Sequence, residues 1–227
     1  ITAVGVLFVS VGDQAQFGSD YAVIGLTYGF VLTVLIVGMG LASGGHFNPA
    51  VTLGAIVMKK ISAVDGIIYM LAQLSGGVLG ALLTKSLLLD EGRAANYGAA
   101  TVSPLLAGNF AGMVVEALGT FALVLVILAV AMGAKAIKDW APLAIGLTFG
   151  VIGMVFGPLT GASVNPARWF GPALVSGEWG GVWPYLVGPI VGALLAVAFF
   201  KFVIVKGEAD AGGPPIEPPT PASGGKV

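Results

Sequence analysis

The stretch Ser43-Gly-Gly-His-Phe-Asn-Pro-Ala-Val-Thr52 has a counterpart later in the chain, Gly161-Ala-Ser-Val-Asn-Pro-Ala-Arg168. Both contain Asn-Pro-Ala, as Asn48-Pro49-Ala50 and as Asn165-Pro166-Ala167. Asparagine is a favoured helix N-cap and proline is favoured at the first helical position, so each triplet predicts a helix start. The apolar segments that follow, about 49–58 and 166–175, are too short to cross a bilayer. They predict two re-entrant half-helices whose positive dipole ends meet in the middle of a membrane.

The composition is that of an integral membrane protein. The 227 residues are 57% hydrophobic and 9% charged, whereas soluble domains carry about 25% charged residues. The formal net charge of −1 leaves no basic face for nucleic acid. The chain has no cysteine, which excludes disulfides and thiol catalysis, and its single histidine, His46, argues against a histidine metal site. We expect no cofactor and no enzymatic activity.

Apolar spans predict an all-α bundle of six transmembrane helices, the first of them incomplete. Residues 1–11 supply about half of the roughly 20 residues that a spanning helix needs, so we expect a truncated first helix. The channel domain is expected at 1–206, with one repeat at about 1–90 and a second at about 109–206. Residues 207–227, rich in Gly, Pro, Ala and Glu, predict a disordered tail. The expected spans are about 1–11, 22–42, 64–89, 109–133, 141–157 and 182–205.

The two halves of the chain repeat each other. Ile24-Gly-Leu-Thr-Tyr-Gly29 recurs as Ile145-Gly-Leu-Thr-Phe-Gly150. Because each half has three spans, an odd number, the second half must be inverted, a plan used for solute pathways. With alternating spans, most lysines fall on one side, which the positive-inside rule makes cytoplasmic; these are Lys59, Lys60, Lys135, Lys138, Lys201 and Lys206. The opposite side carries Asp13, Asp20, Asp90, Glu91, Arg93 and Glu178.

The two Asn-Pro-Ala segments resemble the signature loops of the aquaporin, or major intrinsic protein, family. Glu116-Ala-Leu-Gly-Thr-Phe121 likewise resembles the opening of that family's fourth helix. The resemblance covers about residues 1–206 and points to a bacterial or archaeal type. It implies a right-handed bundle of six transmembrane helices and two half-helices, and a homotetramer that conducts water or small neutral solutes. It also implies a prokaryotic plasma (inner) membrane, with the tail in the cytoplasm.

The two asparagines and the arginine after the second triplet are the expected pore residues. The amides of Asn48 and Asn165 can donate to a passing water oxygen and interrupt a proton wire; alternatively, they act only as helix caps. Arg168 is costly within a membrane unless it is paired or faces water. It is therefore expected to oppose cations at the outer constriction, the alternative being a snorkelling surface arginine.

The segments before the triplets are expected to be extended, with carbonyl groups that replace part of a solute's hydration. The expected residues are Gly44, Gly45, His46 and Phe47 in one loop, and Gly161, Ser163 and Val164 in the other. His46 invites a proton-shuttle interpretation, but the resemblance implies that it mainly holds its loop.

Glu116 lies within a span and therefore needs polar partners. A general base would require a nucleophile or a second carboxylate beside it, so we expect Glu116 to accept hydrogen bonds from backbone N–H groups of a re-entrant loop. The family carries a matching glutamate early in its first helix, which here would precede Ile1.

The family's outer selectivity filter has four positions, which correspond here to Tyr28, Gly153, Ala162 and Arg168. Water channels usually carry histidine at the second position. Glycerol facilitators tend to have glycine there, aromatic residues at the first and third positions, and aspartate after the arginine. Trp169 occupies that last place here, so the chain matches neither subgroup. Two small residues predict a wide filter, unless the Trp169 indole folds inward.

The leading functional hypothesis is a passive channel for water and small neutral solutes such as glycerol, embedded in the lipid bilayer. A dedicated glycerol facilitator is the alternative within the class. An ion-coupled secondary transporter also uses inverted repeats and broken helices. Coupling normally needs titratable groups along the pathway, and Glu116 is the only acidic candidate within a span.

Overall fold

The structure, a computed structural model, describes residues 21–88, 90–133 and 136–205. The incomplete first span and the tail at 207–227 lie outside these residues. The regular secondary structure of the described residues is all helical, as expected for an all-α membrane protein. The helices are α1 (Tyr21–Ser43), α2 (Pro49–Val57), α3 (Ala63–Leu87), α4 (Asp90–Ala94), α5 (Gly108–Ile127), α6 (Ala141–Thr160), α7 (Pro166–Ser176) and α8 (Val182–Phe199).

Five helices in the described residues are long and apolar enough to cross a membrane. They include α5 and α8, each extended by a π-helical turn at Leu128–Met132 and at Phe200–Val205, and α6, preceded by a 3₁₀ turn at Lys138–Trp140. These helices match the five expected spans within the described residues to within a few residues.

The two short helices, α2 and α7, begin at the two Asn-Pro-Ala triplets, as expected. In each, the asparagine is an extended N-cap and the proline is the first helical residue. The Asn48 side chain accepts from the N–H of Ala50 at 2.9 Å, and the Asn165 side chain accepts from that of Ala167 at 2.9 Å. Each cap satisfies a backbone donor that a helix start otherwise leaves free.

The repeated Ile-Gly-Leu-Thr-aromatic-Gly segments pack directly against each other, where α1 crosses α6. Gly25 faces Gly150, and Gly29 faces Gly146, so the two helices run antiparallel at this contact. A methyl group on Gly29 would lie 2.8 Å from the carbonyl oxygen of Gly146, which is too close for any larger residue. The inverted repeat therefore packs the two glycines of one segment against the two glycines of the other.

Small residues also bring α5 against α8, and α3 against α7. Gly188 and Gly192 of α8 lie on the backbone of α5 near Met113 and Ala117, and Gly77 of α3 lies against α7. Within the described residues, not every glycine of α3 takes part in such a crossing. Gly76 and Gly80 face nothing within 4 Å there, because they lie on a different side of α3 from Gly77.

The end of the first half-helix lies beside the end of the last helix. Lys201 donates through Nζ to the carbonyl oxygen of Val57, the last residue of α2, at 3.2 Å. A cation at this position complements the negative end of the half-helix dipole. Lys201, Lys59 and Lys60 therefore lie toward one end of the bundle, which agrees with the charge pattern of the sequence.

Candidate functional site

The two half-helix starts are joined by a pair of crossed hydrogen bonds. Asn48 Nδ2 donates to the carbonyl oxygen of Val164 at 2.8 Å, and Asn165 Nδ2 donates to that of Phe47 at 2.9 Å. Each amide group thus caps its own helix through its oxygen and holds the opposite loop through its nitrogen. Because an amide nitrogen carries two hydrogens, each asparagine keeps a second N–H for another acceptor.

The loops before the triplets are not extended, which corrects the sequence expectation. The backbone φ is positive at Gly44, Gly45 and Phe47 in the first loop and at Gly161, Ala162 and Val164 in the second. This conformation is uncommon for residues other than glycine, and least favourable for a β-branched valine. Val164, with φ of 41°, is held by hydrogen bonds at both its N–H and its carbonyl group, which offset the strain.

The carbonyl oxygens of Val164 and Phe47 each accept one hydrogen bond from an asparagine side chain. A carbonyl oxygen has two lone pairs, so each retains one acceptor site. Residues 44–47 line an inner cavity of about 110 Å³ together with both asparagines. Ser163, by contrast, is fully buried, and its hydroxyl donates to the carbonyl oxygen of Asn165 at 3.0 Å.

Glu116 accepts three hydrogen bonds at the base of the second loop. The N–H groups of Ser163 and Val164 donate to Oε1 at 2.9 Å and to Oε2 at 2.5 Å, and the Thr160 hydroxyl donates to Oε1 at 2.6 Å. The carboxyl group is completely buried. Its oxygens are occupied by loop donors, which is the arrangement expected of a loop support.

The first loop is held by side chains from α2 and α3. The backbone N–H of His46 donates to the Tyr69 hydroxyl at 3.3 Å, and Nδ1 of the His46 ring lies 3.1 Å from Thr52 Oγ1. Gln73 Nε2 donates to the same Thr52 oxygen at 2.9 Å. Sequence reasoning did not single out these partners. Their signal was the spacing Tyr69…Gln73, which Tyr185…Pro189 echoes in the second half of the chain. There the Tyr185 hydroxyl donates to the carbonyl oxygen of Thr160, the last residue of α6 before the second loop.

Two of the four expected filter residues are in direct contact. Arg168 Nη2 donates to the Tyr28 hydroxyl at 2.6 Å. Both residues line a groove that also reaches Asn165. Arg168 Nη1 is buried and has no partner among the described residues, so the guanidinium retains unused donor capacity.

The other two filter residues are placed differently from the expectation of a wide filter. A methyl group on Gly153 would lie 3.0 Å from the Gly25 Cα and 3.1 Å from Tyr28 Cδ2. Gly153 therefore faces α1, and its small size serves the helix contact. Ala162 is fully buried. Neither residue lines the inner cavity or the groove.

Trp169, considered as a side chain that could fill the filter, is packed elsewhere. Its ring stacks on Tyr185, with 5.9 Å between centroids, and meets the edge of Trp179 at 5.7 Å. It belongs to a cluster with Ala100 and Ala173 and does not line the groove.

The sequence analysis overlooked Phe149, which lines both the inner cavity and the groove. Its ring stacks on Tyr28, with centroids 5.1 Å apart and planes 13° apart. The repeat contained the signal, because Phe149 occupies the same place in its segment as Tyr28 does in the first.

The sequence and the fold of this chain are similar to those of known membrane proteins. The model of the family described as Major intrinsic protein matches residues 1–200. The chain is 38% identical over 189 residues to a probable aquaporin TIP2-2 of Oryza sativa subsp. japonica, covering 82% of this chain and 73% of the rice protein. It is 39% identical over 179 residues to a glycerol uptake facilitator protein-like 6 of Lactiplantibacillus plantarum, covering 78% and 82%.

The match covers a smaller share of some relatives, for example 59% of mouse Aquaporin-4, to which the chain is 37% identical. Among solved structures, the aquaglyceroporin from Plasmodium falciparum superposes with a TM-score of 0.75 at 25% identity, covering 90% of this chain and 93% of that one. The expected aquaporin-like fold is thereby confirmed. The chain belongs to the major intrinsic protein family, whose aquaporins are channels and not enzymes.

Proposed function

We propose that this protein is a passive channel for water and small neutral solutes such as glycerol, with its pathway running past the meeting point of the two half-helices. The observation that carries the proposal is the crossed pair of hydrogen bonds between Asn48 and Val164 and between Asn165 and Phe47. This pair fixes two positive helix ends face to face and leaves one amide N–H on each asparagine for a solute oxygen. Relatives that are named as aquaporins and as a glycerol uptake facilitator support the same solute class.

Selectivity against ions follows from the fixed charges and dipoles at this point. Two helix N-termini and the Arg168 guanidinium all oppose a cation. The asparagines, held in place by their caps, would orient a single water with its hydrogens pointing away in both directions. In this proposal, the remaining acceptor sites on the loop carbonyl groups replace part of the hydration of a passing solute.

The wider organisation is also part of the proposal. Residues 1–206 form the channel domain and residues 207–227 form a cytoplasmic tail, in a homotetramer in which each subunit has its own pore. The lysine-rich end, which includes Lys59, Lys60 and Lys201, faces the cytoplasm by the positive-inside rule. A prokaryotic plasma membrane is the proposed location.

The test is stopped-flow light scattering on proteoliposomes, with separate osmotic gradients for water and for glycerol. Swelling or shrinking faster than in empty liposomes of the same lipid supports the channel. A rate that depends on an imposed proton or sodium gradient would instead indicate a coupled transporter. Proteoliposomes that exchange both water and glycerol no faster than empty ones would overturn the proposal.

A dedicated glycerol facilitator remains the second candidate. The observation that favours it is the 39% identity to a glycerol uptake facilitator protein-like 6, of which the matched region covers 82%. Glycerol permeation with no gain in water permeation would favour this candidate.

A further inference from the structure

Phe149 lies at the boundary between the inner cavity and the groove. It is on the face of α6 that carries Ile145 one turn earlier, which lines the inner cavity. Only four residues line both the inner cavity and the groove in the described part of the chain, and they mark the level at which the two regions meet. These residues are Leu32, Phe47, Phe149 and Asn165.

This level is apolar apart from one amide group. Phe149, Leu32 and Phe47 present carbon surfaces, and Asn165 presents the Nδ2 that already donates to Phe47. A solute that passes here meets an aromatic wall and the Asn165 amide, with the Asn48 amide next to it on the side of the inner cavity. A three-carbon polyol such as glycerol needs a wider passage beside this wall than a water molecule does.

The Phe149 ring is held in place by its neighbours. It stacks on Tyr28 with 5.1 Å between centroids, and the Tyr28 hydroxyl accepts from Arg168. A ring fixed in this way contributes a defined width, because it cannot move aside without breaking the stack.

Gly153, one turn further along α6, cannot play the same part. A Cβ at that position would point at Gly25 and at the edge of Tyr28. The side-chain bulk that α6 brings to this part of the pathway is therefore located at Phe149.

We propose that Phe149 is a specificity-determining residue that limits the size of neutral solutes at the level of the asparagine pair, inward of Arg168. The inference rests on the proposed channel function and adds to it a residue that sets the ratio of glycerol to water permeability. Smaller side chains at 149 should raise this ratio, and a larger one should lower it.

The experiment is a graded series, F149W, F149L and F149V, measured as glycerol and water permeability in the same proteoliposome preparations. The ratio of glycerol to water permeability should fall in F149W, rise modestly in F149L and rise by about threefold to tenfold in F149V. The upper value is the low end of the discrimination between substrates that one apolar group provides. The matched control is F156V, which removes the same ring from α6 at a position that lines neither region and should leave the ratio unchanged.

The outcomes separate this inference from the proposed function. A wild-type protein without water or glycerol permeation contradicts the channel itself. A conducting wild type whose ratio stays constant across the three variants, or changes equally in F156V, overturns the role of Phe149. If F149V fails to reconstitute, the opposite shifts in F149W and F149L still decide the question.

Discussion

Arg168 and Tyr28 lie far apart in the sequence and form a hydrogen bond of 2.6 Å between Nη2 and the phenolic oxygen. The Tyr28 ring is 2% exposed, and the centre of the guanidinium lies 5.8 Å from the ring centroid. Because Nη1 has no partner in the described residues, this bond fixes the orientation of the charged group. The Phe149 ring stacks on Tyr28, so the position of the guanidinium charge depends on the packing of the two aromatic rings.

Replacing Tyr28 by phenylalanine should preserve the stack and release the arginine. We expect Y28F to lower the stability of the protein by about 1–2 kcal/mol, since a buried charged donor loses its partner. The measurement is the shift in Tm in detergent. A double-mutant cycle with R168V is the control, because Y28F should cost little once the guanidinium is absent. Equal losses in both backgrounds would show that the bond does not contribute.

Replacing Arg168 by valine should leave neutral permeation in place and weaken ion exclusion. Removal of the fixed positive charge lowers the barrier to protons and other cations. A leak raised about tenfold would correspond to a barrier lower by roughly 1.4 kcal/mol. A pH-sensitive dye trapped in proteoliposomes measures the leak. R168K keeps the charge and should leak less than R168V; leaks equal to wild type in both variants would contradict the barrier role.

Replacing Glu116 by glutamine should destabilise the second loop. One carboxylate oxygen becomes an amide nitrogen, which cannot accept from the N–H of Ser163 or Val164, so a buried donor is left unpaired. The stability of the folded protein should fall by about 1–3 kcal/mol. Water permeation should also fall, because the Val164 carbonyl oxygen accepts the hydrogen bond that positions Asn48. The Tm and the permeability of E116Q should both fall. The control is E178Q, at a loop glutamate that accepts from the Gly180 N–H at 2.9 Å in an exposed turn. A thermally stable, fully conducting E116Q would contradict the support role.

The helix starts were predictable from sequence because they depend on local rules. Asparagine followed by proline specifies a cap and a first helical turn whatever surrounds it. The repeat similarly indicated which segments are equivalent, and this equivalence relates the contact of Gly25 with Gly150 to that of Gly29 with Gly146.

The loop conformation and the filter geometry were not predictable in the same way. A positive φ is unfavourable for phenylalanine and valine, and at Phe47 and Val164 it is stabilised by partners from distant parts of the chain. These partners are Asn165 for Phe47, and Asn48 and Glu116 for Val164. The direction of Gly153 depends on the rotation of α6 against α1, which spacing in the sequence does not determine. For the same reason, Trp169 packs against Tyr185 and Trp179, although its neighbour Arg168 faces the groove.

Asn165 performs two separable tasks, and a pair of substitutions distinguishes them. Its oxygen accepts from Ala167 at 2.9 Å and from Arg168 at 3.3 Å, and its nitrogen donates to the Phe47 carbonyl oxygen at 2.9 Å. Aspartate keeps the cap, with a charge that the helix dipole favours, but it has no N–H to donate. Alanine loses both tasks, and loss of a cap costs about 1 kcal/mol.

We therefore expect N165A to be the less stable variant and N165D to be the more permeable to cations. In N165D a carboxylate lies against the Phe47 carbonyl oxygen, which separates the two loops, and its negative charge offsets the dipoles that repel cations. Water permeation should fall in both variants, since the donor is lost in both. The measurements are Tm, stopped-flow water permeability and proton leak on matched preparations. If N165D retained wild-type water permeation and proton exclusion, the crossed hydrogen bonds would be structural only, and the pathway would have to lie away from the two asparagines.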